Sequence, residues 1–240
     1  HSQFQAFGQE LLRPIARKLG WDAAPGEGHL DALLRSTVLG QLGAFGDPDT
    51  LAEAQNRFRR FLDSPSSLIP DLRGVVYSLT AQTGDQSIHQ TMRRLAGEAT
   101  LQEEKNRLHG SMARFTDRSL QKQTLEMSLS EEVRPQDTVG LVGAAASNPH
   151  GGTALTWEYV KTNWPEFNRR YGAGGFAMMR LASITGGFTT WAAHQDVEDF
   201  FKSHPTPAAT RTIQQSLERI GLNVHWLERN RVDLARWLAG

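Results

Sequence analysis

The 240 residues carry 26 basic and 26 acidic side chains, so the formal charge is zero and no global field recruits nucleic acid or an anionic membrane. Cysteine is absent, which removes disulfides and Cys-based metal sites and fits a reducing compartment. No apolar run approaches the ~18 residues of a spanning helix, and the first residues lack the charged-then-apolar build of a signal peptide, so a soluble, compact chain is expected.

Taken in order, Phe4, Phe7, Leu11, Leu12, Ile15 and Leu19 keep a helical stripe despite Pro14, which predicts a kink or a boundary. A loop at Gly20–Gly26 precedes a helix carrying Leu30, Leu33, Leu34, Val38 and Leu42. Asp47-Pro48 supplies an N-cap and a first-turn proline for the next helix, with Ala54, Phe58 and Phe61. Pro70-Asp71 opens another, Gly84-Asp85 turns the chain into a further one, and Thr100 with Glu103 matches a capping box. Glu103 and Arg107 stand at an i,i+4 spacing, and Asp117 should cap the helix around Leu120 and Leu125.

Glu131–Tyr171 predicts two helices packed back to back about the breakers Ser147–Gly152. In the first, which Pro135 starts, the run TVGLVGAAAS is rich enough in Gly and Ala to admit another helix very closely. The second would carry Leu155, Tyr159, Val160, Trp164 and Phe167 as one unit. Gly172–Gly175 breaks before Phe176–Ile184, and a segment around Val197, Phe200 and Phe201 ends at His204-Pro205. A long amphipathic stretch follows, with a break expected near Asn230. No window alternates as a half-buried strand does. The expectation is an all-α fold, a curved superhelical solenoid of stacked antiparallel helix pairs of HEAT or armadillo type.

Chemistry is sparse. His1, His29, His89, His109, His150, His194, His204 and His225 stand singly, none followed by Glu, so an H-E-x-x-H helix is impossible and capping or surface roles are expected. Neither G-x-S-x-G nor a P-loop occurs. The chain by itself should be inactive, with no catalytic residue and no metal ligand. Two arginines hold more interest. Arg180 sits in FAMMRLASI, apolar or small on both sides, where a buried guanidinium would need a carboxylate such as Glu158, Asp196 or Glu218, or would point into a cavity to await an anionic ligand. Arg114, in GSMARF, poses the same question near a predicted helix end, where it could instead serve the last carbonyls.

Several stretches resemble puromycin-sensitive zinc aminopeptidases: Gly26–Arg35 (GEGHLDALLR), Gln102–Arg107, Leu129–Asp137 and Arg211–Gln215. The pattern Asn148-Pro149, Gly151, Trp157, Asn163-Trp164 resembles the wider aminopeptidase N superfamily. The likeness runs from about Leu19 to Leu238. It implies a C-terminal helical domain that caps the zinc site of such an enzyme and walls its peptide cavity, with the catalytic zinc domain absent from this chain. The expected domain is 1–240, its first ~20 residues serving as a lead-in helix from a preceding domain. The expected partners are the catalytic domain of the same polypeptide and peptide substrates, with no nucleic acid and no membrane, in the cytoplasm. By the same resemblance Arg180 and Arg114 match positions that reach the substrate cavity. The alternative is a free-standing helical scaffold that binds a partner protein.

Overall fold

The computed structural model describes residues 2–239, so His1 lies outside the described residues. Among those residues the chain forms thirteen α-helices and three short 3-10 turns, with no strand, and the all-α expectation is met. Two compact units divide it, one reaching to Leu120 and the other running from Gln121 to Trp237.

The first unit contains α1 (Ser2–Leu19), α2 (His29–Ala44), α3 (Pro48–Asp63), α4 (Pro70–Thr83), α5 (Gln86–Glu98) and α6 (Gln102–Met112). Connections are short, so consecutive helices reverse: α1 packs on α2, α3 on α4 and α5 on α6. In addition α4 packs on both α2 and α6, so the second members of the three hairpins form one row. The stops and starts follow local chemistry. Asp47 accepts the Thr50 N–H at 3.0 Å ahead of Pro48, and Asp85 accepts from Ser87 and Ile88. Two expectations fail here. Pro14 marks no boundary, since it lies inside a continuous α1. Thr100 is not a cap: Leu101 takes the N-cap position without a side-chain bond, and Glu103 turns to Arg107 at 2.6 Å.

The connection from α1 to α2 is fastened by arginines. Arg35, only 2% exposed, donates to the Leu19 and Gly20 carbonyls at 3.0 and 3.1 Å and to both oxygens of Glu27. Arg57 grips Asp22 at 2.8 Å through two nitrogens and lies over the Trp21 ring. Gln9 donates to the Phe45 carbonyl at 2.7 Å and Arg13 to Asp47 at 2.8 Å, which fixes α1 to the α2–α3 turn.

A further helix, α7 (Arg118–Met127), begins where Asp117 accepts from Ser119 and Leu120. The second unit then holds α8 (Pro135–Ala146), α9 (Gly152–Thr162), α10 (Trp164–Tyr171), α11 (Phe176–Ser183), α12 (Trp191–Ser203) and α13 (Thr210–Leu238). Its core gathers Trp157, Trp164, Phe167, Met178, Leu181, Val197, Phe201, Ile220 and Val224. Trp164 meets Phe200 and Phe201 edge-on at 5.1 and 5.7 Å, and Trp157 meets Phe200 at 4.9 Å.

Three sequence expectations change here. The helix expected to run from Leu155 through Phe167 is two, because the chain turns at Asn163 and Pro165 restarts it. The break expected near Asn230 is absent: its side chain folds back on the Trp226 carbonyl at 2.8 Å and α13 continues. The close approach expected of the glycines in α8 also lies elsewhere. Gly140 and Gly143 face open space, whereas a Cβ at Gly152 would lie 2.2 Å from the Ala145 carbonyl oxygen. The tight seam between α8 and α9 is therefore at their turn, where Gly151 takes a left-handed φ of 81°.

Candidate functional site

The α11 helix places Arg180. It begins after Gly174 and Gly175, whose φ values of 121° and 102° only glycine adopts readily. Its eight residues then divide into two stripes at helical spacing. Met178, Leu181 and Ala182 enter the core, while Phe176, Met179, Arg180 and Ser183 face out. Phe176 is 82% exposed. With Thr212 from the first turn of α13, the outward stripe lines an open cavity of about 530 Å³.

The sequence expectation of a helix buried on all sides is thus corrected: it is apolar on both stripes but buried on one. Arg180 is exposed and forms no ion pair among the described residues. The carboxylates considered as its internal partners are engaged elsewhere or apart. Lys161 draws Glu158 at 2.8 Å and Asp196 at 3.0 Å, and the Trp157 indole N–H donates to Asp196 at 2.6 Å. Burial pulls the Lys161 ammonium down in pKa, but those two carboxylates outweigh it and hold it above its ordinary value. The cavity thus offers an aromatic ring, a thioether, two hydroxyls and a cation to a ligand.

Arg114 belongs to the first unit. It lies in the turn just after α6, exposed, with its backbone N–H on the Ser111 carbonyl at 2.9 Å. A second cavity in the second unit, about 620 Å³, has Leu125, Leu129 and Leu155 beside Lys122, Glu126 and Tyr159.

The buried guanidinium belongs to Arg35, which sequence reasoning did not single out. Its signal was present: Arg35 shares the stripe of Val38, Leu39 and Leu42, which enter the core. The Glu27 carboxyl is held low by the Arg35 hydrogen bond, and Asp22 by that of Arg57. Other stretches that carried the resemblance also prove to be fasteners. Asn148 accepts the His150 N–H at 2.9 Å, and Asn163 donates to the Tyr159 carbonyl at 2.9 Å. Arg170 reaches the Leu129 carbonyl at 2.7 Å, and the Tyr171 hydroxyl the Pro135 carbonyl at 2.6 Å. His89 and His109 are buried, so a surface role is wrong for these two; His89 packs on Phe115 at 5.3 Å. His29 is exposed at the first position of α2.

Among the described residues no three His, Cys, Asp or Glu side chains converge as metal ligands. No helix is long and apolar enough to cross a membrane. Residues 1–222 match a family described as the ERAP1-like C-terminal domain. Aminopeptidase M1 of Arabidopsis thaliana is 35% identical over 219 residues, covering 89% of this chain and 24% of its own length. Aminopeptidase M1-A of Oryza sativa subsp. japonica is 34% identical over 232 residues, 93% of this chain and 26% of its own. Glutamyl aminopeptidase of Bitis rhinoceros is 31% identical over 242 residues, 99% and 25% respectively. The chain therefore spans about a quarter of the length of the curated relatives it matches.

Proposed function

This chain belongs to the ERAP1-like C-terminal domain family, and on that premise we propose that it is the C-terminal helical domain of a zinc aminopeptidase. In this reading the enzyme removes N-terminal residues from peptides. Residues 1–240 cap its active site and wall its substrate cavity, with α1 leading in from the preceding domain. Zinc, held outside this chain, supplies polarisation of the scissile carbonyl and activation of water. The part of this chain is to bind and orient. The names of its relatives support the activity, and the resemblance to the puromycin-sensitive branch supports a cytosolic enzyme.

The observation that carries the binding role is the exposed guanidinium of Arg180 beside Phe176, Met179 and Ser183, with no carboxylate among the described residues paired to it. An Arg recognises a carboxylate through two parallel N–H donors, so the C-terminus or an acidic residue of a bound peptide is its natural partner. Arg114 is the second anchor of this reading. The test is Arg180→Ala in the intact enzyme, assayed on peptides with free and amidated C-termini. The expected result is a fall in kcat/KM of about 5–10-fold for the free acids and little change for the amides. Equal kcat/KM for both substrate forms and an unchanged chain-length preference would overturn the anchoring role.

A further inference from the structure

We propose that Met179 is a reversible oxidation site, at which a peroxide adds one oxygen and thereby weakens ligand binding in the Arg180 cavity. The chain has five methionines and no cysteine. Thiolates, the usual first targets of peroxide, are therefore missing, and the thioethers become its readiest targets. A thioether has no proton to lose, so access decides which of the five reacts. Met92, Met112 and Met178 are 0% exposed and Met127 is 3% exposed, whereas Met179 is 36% exposed. Four sulfurs are thus sealed in the interior, and one opens on the cavity of about 530 Å³ that holds Arg180.

The pair Met178-Met179 shows that the fold makes this selection. The two are neighbours in sequence and differ by one helical step of about 100°, which sends Met178 into the core of the second unit and Met179 to the outward stripe of α11. An oxygen on Met178 would enter an apolar core, whereas an oxygen on Met179 meets water and the open cavity. Phe176 stands three residues before Met179 on the same stripe, the spacing at which helical side chains are neighbours. These two side chains form the apolar wall beside the Arg180 guanidinium.

Hydrogen peroxide is the only co-reactant the forward step needs. The Met179 sulfur attacks one peroxide oxygen, the O–O bond breaks, the sulfur keeps that oxygen as the sulfoxide, and the other leaves as water. Two electrons pass from sulfur to peroxide. In the reverse step two thiols of a methionine sulfoxide reductase return the two electrons, forming a disulfide and one water. The sulfoxide puts a polar, solvated oxygen where the wall was apolar, so a ligand must strip water from it to press an apolar group against Phe176. The consequence for peptides rests on the assignment of this cavity to the substrate wall; the oxidation itself does not.

The experiment has two readouts. The 240-residue chain is treated with hydrogen peroxide, folded and in denaturant, and mapped by mass spectrometry, with fragment spectra separating Met178 from Met179 in the tryptic peptide 171–180. Met179 should oxidise about ten-fold faster than each of the other four in the folded chain, and denaturant should erase the difference. In the intact enzyme, peroxide should lower peptide kcat/KM about three- to five-fold, for free-acid and amidated peptides alike, and a methionine sulfoxide reductase should restore it. Met179→Leu keeps an apolar wall without the sulfur. Each protein is compared with itself before and after peroxide, and the variant should lack this loss. Comparable oxidation of all five sulfurs in the folded chain would overturn the proposal. So would an oxidised Met179 with unchanged kcat/KM, or an equal peroxide loss in the parent and in Met179→Leu. Arg180→Ala keeps the two ideas apart: it alters the ratio of free-acid to amide turnover, which Met179 oxidation leaves alone, so either can fail while the other stands.

Discussion

The two units solve the same packing problem with different materials. The first builds hairpins whose connections are fastened by charge: Arg35 on Glu27 and two carbonyls, Arg57 on Asp22, Arg13 on Asp47. The second relies on aromatic mass, with Trp157 and Trp164 edge-on to Phe200, Trp164 edge-on to Phe201, Phe167 edge-on to Tyr159, and α11 and α13 laid against them. Ionic fasteners are directional and fix a loop at small cost in volume, whereas rings supply burial without demanding a partner for every atom. Regions held by charge should therefore respond to pH, and regions held by rings to changes in volume.

The largest expected effect belongs to the aromatic core. Trp157→Ala removes a side chain that is 1% exposed and leaves Asp196 without the indole donor, so it should cost about 3–5 kcal/mol in denaturant unfolding. A cost confined to the first unit's amides in hydrogen exchange would break the division drawn here. Next comes the seam at Gly152. Its Ala variant meets backbone at the Ala145 carbonyl and should cost about 1–3 kcal/mol. Gly43→Ala instead meets the flexible end of Leu79 at 2.5 Å and should cost less.

Arg35→Met leaves two carbonyls and Glu27 without their donors, an expected loss of about 2 kcal/mol. Hydrogen exchange should show it as faster opening of α1 and the following loop, with α11 unaffected. The pH dependence sharpens the same point. The Glu27 and Asp22 carboxyls are held below their ordinary values, so their contribution is present above the unfolded carboxylate pKa and is lost as pH falls through the folded one. Glu27→Gln should accordingly be less stable than the parent at neutral pH, and the gap should narrow as pH falls below the ordinary carboxylate range and through the lowered folded value. A gap that persisted at pH 2 would mean that Glu27 acts through packing and not charge.

Smaller effects test the accounting of polar groups in each unit. Thr80 and Thr156 are buried, and neither hydroxyl has a hydrogen-bond partner among the described residues. Thr80→Val and Thr156→Val should each be neutral or stabilising, by no more than about 1 kcal/mol. At the bottom of the scale is the Arg94–Glu98 pair, more than half exposed on both sides, where Glu98→Gln should change the melting free energy by about 0.5 kcal/mol or less.

The sequence by itself determined the class of fold and most of its punctuation. Spacings of three and four residues marked the helices, and Asp47-Pro48, Asp85, Asp117 and Pro135 marked their starts, because capping and proline geometry act within a few residues. It also held the family, in stretches such as GEGHLDALLR, whose Glu27 and Arg35 the fold joins. Tertiary structure alone decided where apolar helices are covered. Nothing in FAMMRLASI separates the stripe of Met178, Leu181 and Ala182 from that of Phe176, Met179 and Arg180, since both are apolar at helical spacing. Which stripe enters the core depends on α8, α10 and the 3-10 turns that pack on α11, and those contacts are set by residues distant in the chain. The same holds for the glycines of α8, whose faces stay open, and for Arg35, buried because a loop eight residues earlier brings it a carboxylate. Local rules fix what a segment becomes; only its neighbours fix what it covers.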